Sequence, residues 1–245
     1  MQTCKAERLS RERRSTLRRR VEMVSILVGK YMNENPAQIV PGVADICSMS
    51  EDLRDLILES DPAVTVDESS FTEWLLELPE ICREWRRSKD SFLVGCLTAS
   101  TPGSCSASTT DEPDVSQLRL ATTYFYCQTC QGPILYPRIL AHSCLMKPGP
   151  LEGHSTLQEL WSAARCRPCN FTFDEIRFHR EWFEAARQIV LACGQDPAVT
   201  TASLMDDLDA RFECRFCYRL AMTWRAAVRT SFSEPFYKLI STHLL

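Results

Sequence analysis

The sequence predicts an α-dominated α+β protein, and three observations carry that expectation. Apolar residues recur at helical spacing through residues 1–98. A run of small polar residues with two prolines, 99–117, interrupts the pattern. After it come three Cys-x2-Cys pairs, Cys127/Cys130, Cys166/Cys169 and Cys214/Cys217, each beside strand-like or turn-like sequence. The expected organisation is a helical region at 1–98, a flexible linker at 99–117 and a Cys/His-rich metal-binding region at 118–245. In that last region, zinc-finger-like β-hairpin and helix units are expected.

The first helix is expected from Glu7 to Asn33, with Leu9, Leu17, Val21, Val24, Leu27 or Val28, and Tyr31 on one face and Pro36 ending it. Arg11, Arg13, Arg14, Arg18, Arg19 and Arg20 crowd its first half. Three readings fit them: a solvated helix face, a nuclear-import signal, or contact with nucleic acid. Ser48 with Glu51 and Ser70 with Glu73 have capping-box spacing, marking two further helix starts. Pro79 is expected to bend or restart the second of these, which resumes through Trp85 to Leu97.

Composition narrows the function. Of 245 residues, 44% are apolar, so the chain can bury a core. No stretch approaches the roughly 18 apolar residues that span a bilayer, and no signal-peptide pattern opens the chain. An intracellular, reducing location, nucleus or cytoplasm, is therefore expected, where 13 cysteines bind metal or pack rather than form disulfides. Charge is uneven. Residues 1–20 carry eight Lys/Arg against two Glu, residues 21–117 six against eighteen acidic, and residues 118–245 fourteen against twelve. A nearly neutral Cys-rich half is a poor partner for nucleic acid, so a protein partner is preferred. No membrane and no small-molecule substrate is indicated.

The pairs carry the chemistry. A tight Cys-x2-Cys turn aims two thiolates at one ion and leaves two tetrahedral positions for a distant element, the pattern of structural zinc. Around the first pair, Tyr124-Phe125-Tyr126 reads as a strand, Gly132 and Pro133 close the turn, and Arg138 to His142 read as a short helix ending near Cys144. Cys130-x11-His142 approaches the spacing of a two-Cys, two-His finger. His142-x1-Cys144 is shorter than that pattern allows, so Cys144 ligates only if the helix ends between them; His154 is the substitute fourth ligand. Cys127, Cys130, His142 and Cys144 are the first candidate zinc site.

At the third pair, counting C-x12 from Cys217 lands on Thr230, where a finger would carry His, and His243 could reach back. The second pair has His179 at C-x9-H and no evident fourth ligand. A shared zinc held by Cys166, Cys169, Cys214 and Cys217 answers both shortages; separate partial sites or none are the alternatives. Phe178 to Cys193 reads as an amphipathic helix ending at Gly194, with Phe183, Ala186, Ile189 and Val190 inward. Asp206, Asp207 and Asp209 read as a solvated helix start. Cys47, Cys82 and Cys96 read as core residues.

Four segments also carry a resemblance: Pro41-Gly42-Val43-Ala44-Asp45-Ile46-Cys47, Trp85-Arg86-Arg87-Ser88-Lys89-Asp90, Tyr136-Pro137-Arg138-Ile139-Leu140-Ala141-His142 and Asp209-Ala210-Arg211-Phe212-Glu213-Cys214. Together they resemble a family of uncharacterised Cys/His-rich, zinc-finger-like proteins of mushroom-forming fungi. The resemblance implies a zinc-finger-like fold and no particular activity. It also implies His where this chain has Thr230, a departure that bears on metal at the third pair.

The expected function is a non-catalytic, zinc-stabilised interaction module, with regulatory work among its uses. A RING-like ubiquitin ligase is the first alternative, using all eight candidate ligands, but twenty-one residues separate Cys144 from Cys166 where that pattern allows two or three. A nucleic-acid-binding finger is the second, with Arg138 as its single strong base reader. A zinc deaminase built from His179, Glu181, Cys214 and Cys217 is the third; Glu213 stands where its signature has Pro.

Overall fold

A computed structural model describes residues 2–59, 61, 64–99, 114–147, 156–214, 222–231 and 237–241. These make a helix-dominated α+β protein, and none of the described helices is long and apolar enough to cross a membrane. The chain divides into two compact units, residues 1–89 with 143–170, and residues 90–142 with 171–245. Segment 143–170, from the Cys-rich half of the sequence, is thus built into the N-terminal unit.

The first unit is helical. Its longest element, α1 (Gln2–Glu34), is followed by α2 (Val43–Met49) and α3 (Glu51–Leu58), by the first part of α4 (Thr72–Ala99), and by α5 (Thr156–Ala164). Leu17, Val21, Val24, Leu27 and Val28 of α1 join Ile46, Leu53, Ile57, Phe71, Trp74, Leu78 and Leu160 in one core. The 3–4 spacing of the α1 residues stacks them on a single face, as the sequence pattern requires. Leu9, expected on that face, is instead exposed, and burial along α1 begins only at Leu17.

Other local expectations are corrected by hydrogen-bond bookkeeping. Ser48 does not cap a helix; it lies inside α2 and its hydroxyl donates to the Ala44 carbonyl. The N-cap of α3 is Ser50, whose Oγ accepts from the Leu53 N–H at 3.2 Å. Likewise Asp67, not Ser70, is the N-cap before α4. Its carboxylate accepts from the Ser69 and Ser70 N–H groups, and the Ser70 hydroxyl accepts from the Asp67 N–H, a reciprocal capping box. Pro79 neither ends nor restarts α4, which runs as one helix through it. The proline sits on the exposed face, where water can take the Leu75 carbonyl that loses its partner.

Besides Ser50, Arg20 and Asp45 are buried in this unit, both for structural reasons. Arg20 turns inward and its Nη1 donates to the carbonyls of Ile57 and Glu59 at the end of α3. Unpaired carbonyls at a helix end need such a donor. Asp45, at the third position of α2, is 3% exposed. Its Oδ1 accepts from Trp85 Nε1 at 3.0 Å and from the Cys169 N–H at 2.8 Å. One carboxylate oxygen thereby ties α2 to α4 and to the second Cys-x2-Cys loop. Burial holds the Asp45 carboxyl above the ordinary carboxylate range, opposed by those two hydrogen bonds and by Lys89.

Among the described residues, the second unit holds the end of α4, two small sheets and three further α-helices. In the first sheet the strand order is β2-β1-β3, with β1 Tyr124–Cys127, β2 Gly132–Leu135 and β3 Ile176–Phe178, all antiparallel. In the second the order is β5-β4-β6, with β4 Arg211–Cys214, β5 Met222–Thr223 and β6 Tyr237–Ser241. The helices are α6 (Arg180–Ala192), α7 (Ala202–Asp207) and α8 (Trp224–Ser231). Tyr124, Leu135, Trp182, Ala186, Ile189, Val190, Phe212, Trp224 and Val228 belong to the core of this unit.

Helix α6 is close to its expected place. It ends at Cys193 with Gly194 in the left-handed region, φ 71°, and the Gln195 N–H reaching back to the Val190 carbonyl. Its buried face is Trp182, Ala186, Ile189 and Val190, while Phe183 is half-buried against Phe178. Residues 222–223 form a short strand, β5, directly before α8. Asp206, Asp207 and Asp209 are exposed as expected, but Asp206 and Asp207 close α7 rather than start a helix. Asp206 accepts from Trp224 Nε1 at 2.9 Å and from the Arg225 guanidinium, which holds its carboxyl below the ordinary range and fixes the start of α8.

Candidate metal centre

The first Cys-x2-Cys pair sits on the β1–β2 hairpin. Strand β1 ends at Cys127, whose cross-strand partner is Gly132 on one side and Ile176 of β3 on the other. Between Cys127 and Gly132 the chain makes a tight knuckle closed by the Gln131 N–H donating to the Cys127 carbonyl at 2.8 Å. The neighbouring Gln128 N–H donates to the Glu175 carbonyl at 3.0 Å. Both hydrogen bonds fix where the two sulfurs point. Closing the knuckle puts Gln131 at φ 53°, a conformation that suits glycine better than a side chain with a Cβ. Gln131→Gly is therefore expected to raise stability by up to about 1 kcal/mol. Urea unfolding of the two proteins side by side checks this.

The other two donors arrive on a broken helix. Residues Arg138–Ala141 form one 3-10 turn and Ser143–Met146 a second. His142 stands between them in an extended conformation, φ −74° and ψ 118°, its N–H donating to the Ile139 carbonyl. A continuous α-helix would set His142 and Cys144 about 200° apart around its axis. The break removes that obstacle and is the condition under which so short a spacing can supply two ligands.

The result is a four-membered group. One sulfur of Cys127, Cys130 and Cys144 and one ring nitrogen of His142 all lie within 4.8 Å of one another. Cys130 Sγ is 3.5 Å from His142 Nε2. A tetrahedron with metal–sulfur bonds of about 2.3 Å and a metal–nitrogen bond of about 2.0–2.1 Å has a sulfur–nitrogen edge of roughly 3.5 Å. A thiol-to-imidazole hydrogen bond alone would explain that one distance. It would not gather two further sulfurs around it, so the donor set fits a metal ion. Cys127 is buried, His142 and Cys144 are half-buried and Cys130 is exposed.

The remaining candidates are distributed differently. Cys169 is buried and its N–H is committed to Asp45, while Cys166 is half-buried, its thiol raised by burial and lowered by the Ala44 N–H. Among the described residues these two join no third Cys, His, Asp or Glu in a comparable group. Cys214 ends β4 and pairs with Tyr237. Its side chain, Cys217, His154 and His243 lie outside the described residues, as do the eight-ligand RING-like arrangement and the deaminase-like grouping that depend on them.

Strands β4 and β5 followed by α8 reproduce a hairpin-then-helix order at the third pair. The Thr230 hydroxyl, at the position where a finger would carry His, donates to the carbonyls of Ala226 at 2.9 Å and Ala227 at 3.2 Å within its own helix. His179 is the N-cap residue of α6, its ring 5.2 Å from that of Tyr126 and edge-on to Trp182, and burial lowers its pKa.

Cys47, Cys82 and Cys96 are buried, and burial pushes their thiols up to about 12, about 11 and about 11. They remain protonated at neutral pH and fill the core as small apolar groups. No known protein family, curated protein or solved structure matches the chain.

Proposed function

We propose that Cys127, Cys130, His142 and Cys144 hold a structural zinc ion, and that the unit it pins is a non-catalytic interaction module with a protein partner. The convergence of four Cys/His donors supports the reading. Three thiolates and one imidazole are a set that zinc accepts in closed, tetrahedral sites. With all four positions taken by protein, none is left for a water or substrate, so the metal would fix the hairpin to the His142 segment and do no chemistry. The work of the residues is then mechanical. The hairpin presents two sulfurs, the broken helix presents a nitrogen and a sulfur, and the ion ties the two segments together.

A protein partner is favoured because the only strong base-reading side chain on the His142 segment is Arg138, which is exposed. Thiolate ligation requires a reducing compartment, which places the protein in the nucleus or cytoplasm. On this reading the chain is one of the zinc-finger-like proteins of mushroom-forming fungi that its segments resemble, with a regulatory use of the module.

Zinc absorption spectroscopy tests the proposal, using protein carrying Cys214→Ser and Cys217→Ser so that only the first site contributes. Three sulfurs at about 2.3 Å and one nitrogen at about 2.0–2.1 Å are expected. A bound water oxygen in place of one protein ligand would instead describe an open site and overturn the non-catalytic reading.

A further inference from the structure

Helix α1 stands apart in how its two halves are used. From Leu17 onward it contributes a continuous stripe to a core. Residues 7–16 are exposed on every face. At 1.5 Å per residue these ten residues make about 15 Å of exposed helix. That half also carries the arginines. Arg8 pairs with Glu12, Arg13 with Glu159 and Arg14 with the Ser10 carbonyl. Arg11, Arg18 and Arg19 are exposed, and among the described residues they hold no ion pair and donate no side-chain hydrogen bond.

Arg11, Arg14 and Arg18 follow one another at i, i+3 and i+7, so they form a single stripe of like charge, and all three are exposed. Neighbouring like charges at these spacings destabilise a helix, by a few tenths of a kcal/mol per pair. On a stretch that buries none of residues 7–16, that cost has no return from the core. An external polyanion would supply the return.

We infer that this face, carried by Arg11, Arg14 and Arg18, binds the phosphate backbone of nucleic acid without reading its sequence. The composition of residues 7–16 decides between polyanions. A protein interface is organised around apolar or aromatic anchors at its centre, and Leu9 is the sole apolar side chain in this stretch. Phosphate binding asks only for guanidinium groups, which grip phosphate in a bidentate way, and for hydroxyls such as those of Ser10 and Ser15. The inference is independent of the metal centre.

The test is fluorescence anisotropy of a labelled 20-base-pair duplex with the full chain, titrated at several salt concentrations. It is repeated with the triple variant Arg11→Gln, Arg14→Gln, Arg18→Gln. Gln is a good helix former on an exposed face, so the fold should persist, and circular dichroism checks that it does. Binding by the native chain should weaken linearly in log–log salt plots. Losing three phosphate contacts should reduce that slope by about 2.7 and weaken binding at low salt at least tenfold. Equal affinity and slope for the two proteins would overturn the inference. So would binding of a labelled poly-glutamate peptide in place of the duplex, which would assign the face to an acidic protein.

Discussion

Replacing Cys127 with Ser is expected to remove one zinc per chain and to unfold the hairpin that carries it. Cys127 is the buried member of the four-donor group and sits in the ladder between Gly132 and Ile176. Structural zinc sites in small domains contribute on the order of 10 kcal/mol of binding free energy, which is also folding free energy. The three-stranded sheet around Cys127 has strands of only four, four and three residues, too short to persist alone. The loss should therefore be seen as rapid amide exchange across residues 124–135 and 176–178. Cys193→Ala, which removes a half-buried thiol outside the donor group, should retain full zinc and normal exchange. If Cys127→Ser also kept its zinc and its exchange protection, the donor group would be a packing accident.

The second large effect is expected at Asp45. Replacing it with Ala strips the acceptor from two buried donors, Trp85 Nε1 and the Cys169 N–H. Each orphaned buried donor costs about 1–3 kcal/mol, so Asp45→Ala should destabilise by about 2–5 kcal/mol in denaturant unfolding. Asp45→Asn keeps an acceptor oxygen and should cost less. In Trp85→Phe, which already lacks one donor, the Asp45→Ala penalty should shrink, because the two sites share one interaction.

The sign of the pH effect follows from the raised carboxyl of Asp45. A carboxyl whose folded pKa is above its unfolded value stabilises the fold when protonated. That contribution is complete below the ordinary value near 4 and is lost as pH rises through the raised value. Relative to Asp45→Asn, the native protein should therefore gain stability as pH is lowered toward about 4. A difference between the two proteins that is flat with pH would show that Asp45 is not held in its buried setting.

Much of this arrangement was legible from local pattern. Helices α1 and α6 follow from apolar spacing, and β1 follows from Tyr124-Phe125-Tyr126 entering a Cys-x2-Cys turn. The candidate ligands Cys127, Cys130 and His142 follow from spacing alone. Cys144 was legible only as a condition, because whether a helix breaks after Ala141 depends on packing that one-dimensional spacing does not contain. Two capping residues were displaced by two or three positions, since Ser48 and Ser50, or Asp67 and Ser70, offer chemically similar oxygens and tertiary contacts choose between them. The restart expected at Pro79 is absent for a related reason: a proline on the exposed face of a long, well-packed helix loses one hydrogen bond without interrupting the helix.

Asp45 was the main residue not found. Its partners lie 40 and 124 positions away, beyond any local pattern. A single acidic residue inside the otherwise apolar Val43–Cys47 run was the available signal. The inward turn of Arg20 was equally hidden within a run of exposed arginines, and only its place on the Val21–Val24 side of the helix distinguished it.

The most direct test of the metal centre is the zinc content of the full chain purified from reducing buffer, measured beside Cys127→Ser. The native chain should carry at least one zinc, and the variant one fewer per chain. No zinc in the native protein, or the same content in both, would contradict a metal held by Cys127, Cys130, His142 and Cys144.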